Sequence, residues 1–130
     1  MRYRPLSDTG IDVSVICLGT MTWGEQNTRE EGFAQMDHAL THGINFFDTA
    51  EMYPVDVRPE TYGHTEIIIG EWLSERQCRN DVVLASKVCG PGQSHIRGGD
   101  CGFTRDTIHA ACEDSLKRLR TDYLDLYQLH

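Results

Sequence analysis

The chain has 130 residues, 39% of them apolar and 25% charged, and carries a formal net charge of −8. That composition belongs to a folded globular protein rather than a disordered one. The acidic balance argues against nucleic acid or an anionic membrane surface as partner, since both require a basic face.

No apolar run approaches the ~20 residues of a membrane span, and no membrane partner is expected. The opening MRYRPLSDTG has basic residues but no apolar stretch behind them, so no secretory signal is read there. Residues 2–13 hold a D-T-G turn between two short extended pieces, which predicts a small hairpin. Residues 14–18 (SVICL) form a first strand ending at Gly19. Thr28 can cap a helix beginning REEGFAQMDHAL, in which Phe33, Met36, Ala39 and Leu40 fall at helical spacing, and Gly43 stops it. Residues 44–48 (INFFD) read as the next strand. Thr65 can cap EIIIGEWLSER, with Ile68, Ile69, Trp72 and Leu73 on one side. Residues 82–88 form a third strand and 90–102 a glycine-rich loop. Thr104 can cap a third helix whose stripe is Ile108, Ala111, Cys112, Leu116 and Leu119. Residues 123–129 (YLDLYQL) form the last strand.

After the hairpin the pattern is βαβαβαβ, which implies a parallel sheet with right-handed crossovers. A doubly wound nucleotide fold would place G-x-G-x-x-G after its first strand; here that strand is followed by GTMTWGEQ. The expected architecture is therefore α/β, a parallel (β/α) barrel of TIM type. A whole barrel takes about 250 residues, so this chain is read as the first half, residues 1–130, with no second domain.

Asp48 and Tyr53 close GINFFDTAEMY, Lys87 closes VVLASK, and His130 closes YLDLYQLH. Polar groups delivered by the C-terminal ends of successive strands are how such barrels build active sites. Residues two apart share a strand face. Phe46 should therefore face the barrel axis with Asp48, Val83 and Ala85 with Lys87, and Leu124, Leu126 and Gln128 with His130. A core salt bridge with an incidental histidine would satisfy the same pattern.

The five cysteines are odd in number and show no C-x-x-C, which reads as reduced thiols and a cytoplasmic location. His38 and His42 lie at a metal-pair spacing on a helix, but nothing in the sequence supplies further ligands, so no metal is expected.

The segments LGTMTWGEQ, GINFFDTAEMY, VLASK and DSLKRLRTDYLDLYQLH resemble the N-terminal half of the aldo-keto reductases, and the loop PVDVRPETYGHTE resembles the bacterial Tas-type members. The resemblance implies an NADP(H)-dependent oxidoreductase that reduces a small-molecule aldehyde or ketone to an alcohol. It implies Tyr53 as proton donor, Lys87 as the cation that tunes it, Asp48 as the anchor of Lys87, and His130 as the group that orients the carbonyl oxygen. A free tyrosine, with a pKa near 10, is a weak acid for that task, and a neighbouring ammonium strengthens it. By the same resemblance Thr20, Met21 and Gln26 lie along NADPH, with Asp48 near its ribose, and Trp23 lines the substrate pocket or packs the loop. Many members read Tyr-Gly five residues after the aspartate. Here Pro54 follows Tyr53, and Tyr62-Gly63 carries the rest of that pattern. Tyr53 is the expected acid because it stands a short fixed distance beyond Asp48.

Two alternatives remain at this stage: a non-catalytic half-barrel, whether relic or regulatory binder, and a lyase using Lys87 as a Schiff-base amine. Half a barrel leaves two parallel edges unpaired and an apolar interior without its opposite wall, so self-association and inactivity of this piece alone are expected. If the molecule ended at His130, its own α-carboxylate would raise the imidazole pKa.

Overall fold

The computed structural model describes residues 1–99 and 101–130; Asp100 of the glycine-rich loop lies outside the described residues. Strands β1 (Tyr3–Pro5) and β2 (Asp12–Ser14) pair antiparallel, as the D-T-G turn predicts. The remaining strands are β3 (Cys17–Gly19), β4 (Phe46–Asp48), β5 (Val83–Val88) and β6 (Leu126–Leu129). They form one parallel sheet in the order β3-β4-β5-β6. Helices α1 (Arg29–Thr41), α2 (His64–Arg76) and α3 (Arg105–Leu119) follow the first three of these strands in turn. The fold is α/β and forms part of a (β/α) barrel.

Register explains the two faces. Leu18, Phe47 and Leu84 are lateral neighbours, and all three pack with Phe33, Met36, Ile69, Trp72 and Leu119 from the helices. One face of the sheet thus carries all three helices. Cys17, Phe46 and Val83 form a row on the opposite face, as do Gly19, Asp48, Ala85 and Leu126. Leu124 departs from the expected parity. It precedes β6 and packs with the helix-side cluster, because the alternation of faces begins only where Asp125 fixes the chain. The Asp125 carboxylate accepts the Leu84 N–H at 2.8 Å and the Arg79 guanidinium at 2.8 Å.

The regular strands are shorter than the apolar runs. Residues 14–16 do not join the parallel sheet: Ser14 ends β2, its hydroxyl donates to the Ile16 carbonyl and its N–H to Asn45. Thr28 and Thr104 cap α1 and α3, each in a reciprocal capping box. Gly43, at φ 79°, closes α1. Thr65 does not cap α2: the helix begins two residues earlier than predicted, at His64, behind Gly63 at φ 82°. The buried Thr65 hydroxyl instead donates to the Trp23 carbonyl at 2.7 Å. On α3 the deepest line is Thr107, Ala111, Ser115 and Leu119, which keeps Ala111 and Leu119 of the predicted stripe and puts Thr107 and Ser115 deeper than Ile108, Cys112 and Leu116. Small residues there let α3 approach α2, where Gly70 meets the Arg118 and Leu119 backbone.

Candidate active site at the C-terminal end of the sheet

β4 ends at Asp48, β5 carries Lys87 one residue before its end, and His130 follows β6. Because the strands are parallel and in register, these ends lie side by side. The Lys87 ammonium donates to the Asp48 carboxylate at 2.8 Å and to the Thr49 carbonyl at 2.7 Å. It stands 3.5 Å from the Tyr53 hydroxyl and 4.8 Å from the centre of the Tyr53 ring. The Tyr53 and His130 rings meet edge to face at 5.7 Å. The four residues expected to converge do so.

Lys87 is 13% exposed and Asp48 30%, so neither charge is fully hydrated and each depends on the other. The second Asp48 oxygen accepts from Gln128 Nε2 at 3.3 Å. Parity had placed Gln128 on this face but gave it no task. Burial, followed by the Lys87 charge, holds the His130 imidazole below its ordinary pKa, while Asp48 and Glu51 oppose the shift more weakly. A pKa held down in this way favours the neutral ring, which can hydrogen-bond a carbonyl oxygen. On the interior face beside this set, burial and then the Asp48 charge push the Cys17 thiol up to about 11.

Tyr62 lies elsewhere. The loop after Tyr53 folds back, so that the Gly63 N–H donates to the Tyr53 carbonyl at 2.8 Å. The Tyr62 ring packs against Cys89, Ile96 and Cys101 and stacks edge-on with His95 at 5.8 Å.

Thr20 and Met21 stand at the top of β3 beside Asp48. The Thr20 hydroxyl is spent on the Asp48 carbonyl at 2.9 Å, and its own carbonyl accepts the Trp23 N–H at 3.2 Å. Met21 is 51% exposed, and Gln26 lies in an exposed turn. Trp23 is a correction. It is fully buried in the helix-side core against Phe33 and Ile68, with Nε1 donating to Gln35 at 3.1 Å. Its ring packs the loop and does not line a pocket.

Open space surrounds Gly19 where a side chain would begin, in the same row as Asp48. That space, with the Asp48 carboxylate as a hydroxyl acceptor, fits the nicotinamide and ribose end of NADPH. The one cation in the cluster, Lys87, is committed to Asp48. These residues therefore do not supply the grip for a 2′-phosphate.

Sequence reasoning missed a buried ion pair. Glu51, 1% exposed, is bound by Arg97 of the glycine-rich loop and also accepts the Cys89 N–H at 2.8 Å. An acidic residue within DTAEMY was a signal, but its partner lies 46 residues away on an irregular loop.

A sequence model of the aldo/keto reductase family matches residues 15–130. Protein tas of Escherichia coli (strain K12) is 48% identical over 132 residues, covering 100% of this chain and 38% of that protein. Norsolorinic acid reductase B of Aspergillus parasiticus is 35% identical over 141 residues, covering 99% of this chain and 35% of that protein. The solved structure of an aldo-keto reductase from Bacillus halodurans, in its holo form, superposes with a TM-score of 0.79 at 35% identity, over 100% of this chain and 40% of that one. The chain thus spans about two fifths of the length of these relatives.

Proposed function

The chain belongs to the aldo/keto reductase family, and from that premise we propose that a barrel carrying these residues reduces a small-molecule aldehyde or ketone to an alcohol with NADPH, Tyr53 giving the proton. The observation that carries the reading is the Lys87 ammonium, which touches both the Asp48 carboxylate and the Tyr53 hydroxyl.

When bound, NADPH supplies the hydride. The rest falls to this chain's residues. Tyr53 donates its phenolic proton to the oxygen that becomes the alcohol. Lys87 places a positive charge where the phenolate develops, and Asp48, braced by Gln128, keeps that charge in position. Such preorganised electrostatics spares the reorganisation water would require. His130, neutral and edge-on to Tyr53, hydrogen-bonds the same oxygen and turns it toward the hydroxyl. Asp48, Thr20 and Met21 border the space for the nicotinamide ribose. The phosphate grip and the far pocket wall come from strands beyond this segment. The net charge of −8 speaks against nucleic acid and anionic membrane as partners of this chemistry, and the proposed location is the cytoplasm.

The test uses NADPH deuterated at the transferable position of the nicotinamide, an aromatic aldehyde, and a complete barrel containing residues 1–130. Deuterium on the product's carbinol carbon supports the proposal. Borohydride trapping of the substrate on Lys87 would replace it with Schiff-base chemistry.

A further inference from the structure

We propose that Glu51 is a positioning residue: its buried carboxylate, clamped by Arg97, fixes the turn that carries Tyr53 and so sets where the hydroxyl stands against Lys87. The inference rests on the reading of Tyr53 as the acid, but the clamp can be measured without catalysis.

After β4 the chain does not leave the sheet at once. The Thr49 N–H donates to the Ala85 carbonyl at 2.9 Å, and the Glu51 N–H to the Lys87 carbonyl at 3.2 Å. Residues 49–51 thus run on along β5. At Glu51 the side chain takes over: its carboxylate accepts the Cys89 N–H at 2.8 Å, just past the end of β5. Backbone and side chain of one residue grip β5 at Lys87 and at Cys89. Tyr53 follows two residues later in a turn closed by its N–H on the Ala50 carbonyl at 3.1 Å. Glu51 is the last charged anchor before the catalytic hydroxyl; Met52 adds a contact with the Cys89 thiol at 3.9 Å.

A carboxylate this deep is costly unless paired and hydrogen-bonded. Arg97 meets both of its oxygens. A charge-assisted contact of that kind, made by Nη1 to both oxygens, is directional, whereas apolar packing is not. Arg97 belongs to residues 90–102, so the same contact ties that loop to the Tyr53 turn. Movement of the loop would slacken the turn, and the distance from Tyr53 to Lys87 would no longer be held.

The experiment uses a complete barrel containing residues 1–130. Tyr53 lies edge-on to His130, so its ring current marks the His130 ring protons in the NMR spectrum. The difference between wild type and Tyr53→Leu measures that contribution. Because removing one partner strands a buried charge, the main variant is the double Glu51→Gln with Arg97→Met, which removes both. With the clamp as proposed, the double variant keeps its core resonances but loses most of the Tyr53-dependent shift at His130. Arg97→Lys, which keeps the cation, retains it. A folded double variant with the wild-type His130 shift would overturn the proposal. Failure of the double variant to fold would overturn it too, by making Glu51 a determinant of the whole fold. Failure of the reductase reading shows separately, as Tyr53→Phe in a complete barrel without loss of reduction.

Discussion

Consider the Asp48–Lys87 pair taken apart one side at a time. At 2.8 Å and an effective dielectric of about 20, the attraction is about 6 kcal/mol gross. Desolvation of two ions offsets much of it, at several kcal/mol each. Asp48→Asn leaves an ammonium 13% exposed with the Thr49 carbonyl as its remaining strong acceptor, and should cost about 3–4 kcal/mol. Lys87→Met leaves a carboxylate that is 30% exposed and still held by Gln128, and should cost about 1–2 kcal/mol. The double variant removes both charges from the site. It should be less destabilised than the sum of the singles by about 2 kcal/mol. Urea denaturation of the four proteins closes the cycle. Additivity within about 0.5 kcal/mol would refute the claim that each charge is buried at the other's expense.

Three further outcomes are expected. Gly70→Ala would bring a Cβ to 2.2 Å from the Arg118 carbonyl, so it should destabilise by about 2–4 kcal/mol in thermal melts, since the obstacle is backbone that cannot swing aside. The depressed His130 pKa gives a stability contribution present in full above the ordinary value of about 6.5 and lost as pH falls below it, because the unfolded chain then binds the extra proton; His130→Gln should flatten that slope in denaturation midpoints taken across the acid range. Light scattering should find residues 1–130 self-associated, and an NADPH-oxidation assay with a reactive aldehyde should find no turnover, because β3 and β6 are the edges of the four-stranded sheet.

Periodicity read the order of elements well, since each helix buries one stripe and each strand one face. The site was legible because a parallel sheet brings strand ends together, so Asp48, Lys87 and His130 could be placed from spacing alone. What escaped depended on paths that spacing does not carry. The fold-back that brings Gly63 to Tyr53, the shift of the α2 start to His64, and the reach of Arg97 to Glu51 all run through irregular chain. Trp23 was open in sequence because a tryptophan beside a site can pack or recognise; the gap between α1 and α2 decided for packing. Leu124 was misread by extending strand parity past the residue where β6 begins.

The central claim is that Tyr53, set against Lys87, is the proton donor. The direct measurement is NADPH-dependent aldehyde reduction by a complete barrel bearing these residues, with Tyr53→Phe and Tyr62→Phe assayed side by side and NADPH binding followed by fluorescence. Tyr53→Phe should lower kcat by about 10²–10⁴-fold with binding retained, the range a general acid contributes, while Tyr62→Phe keeps its turnover. Loss of turnover in Tyr62→Phe with Tyr53→Phe unaffected would contradict it.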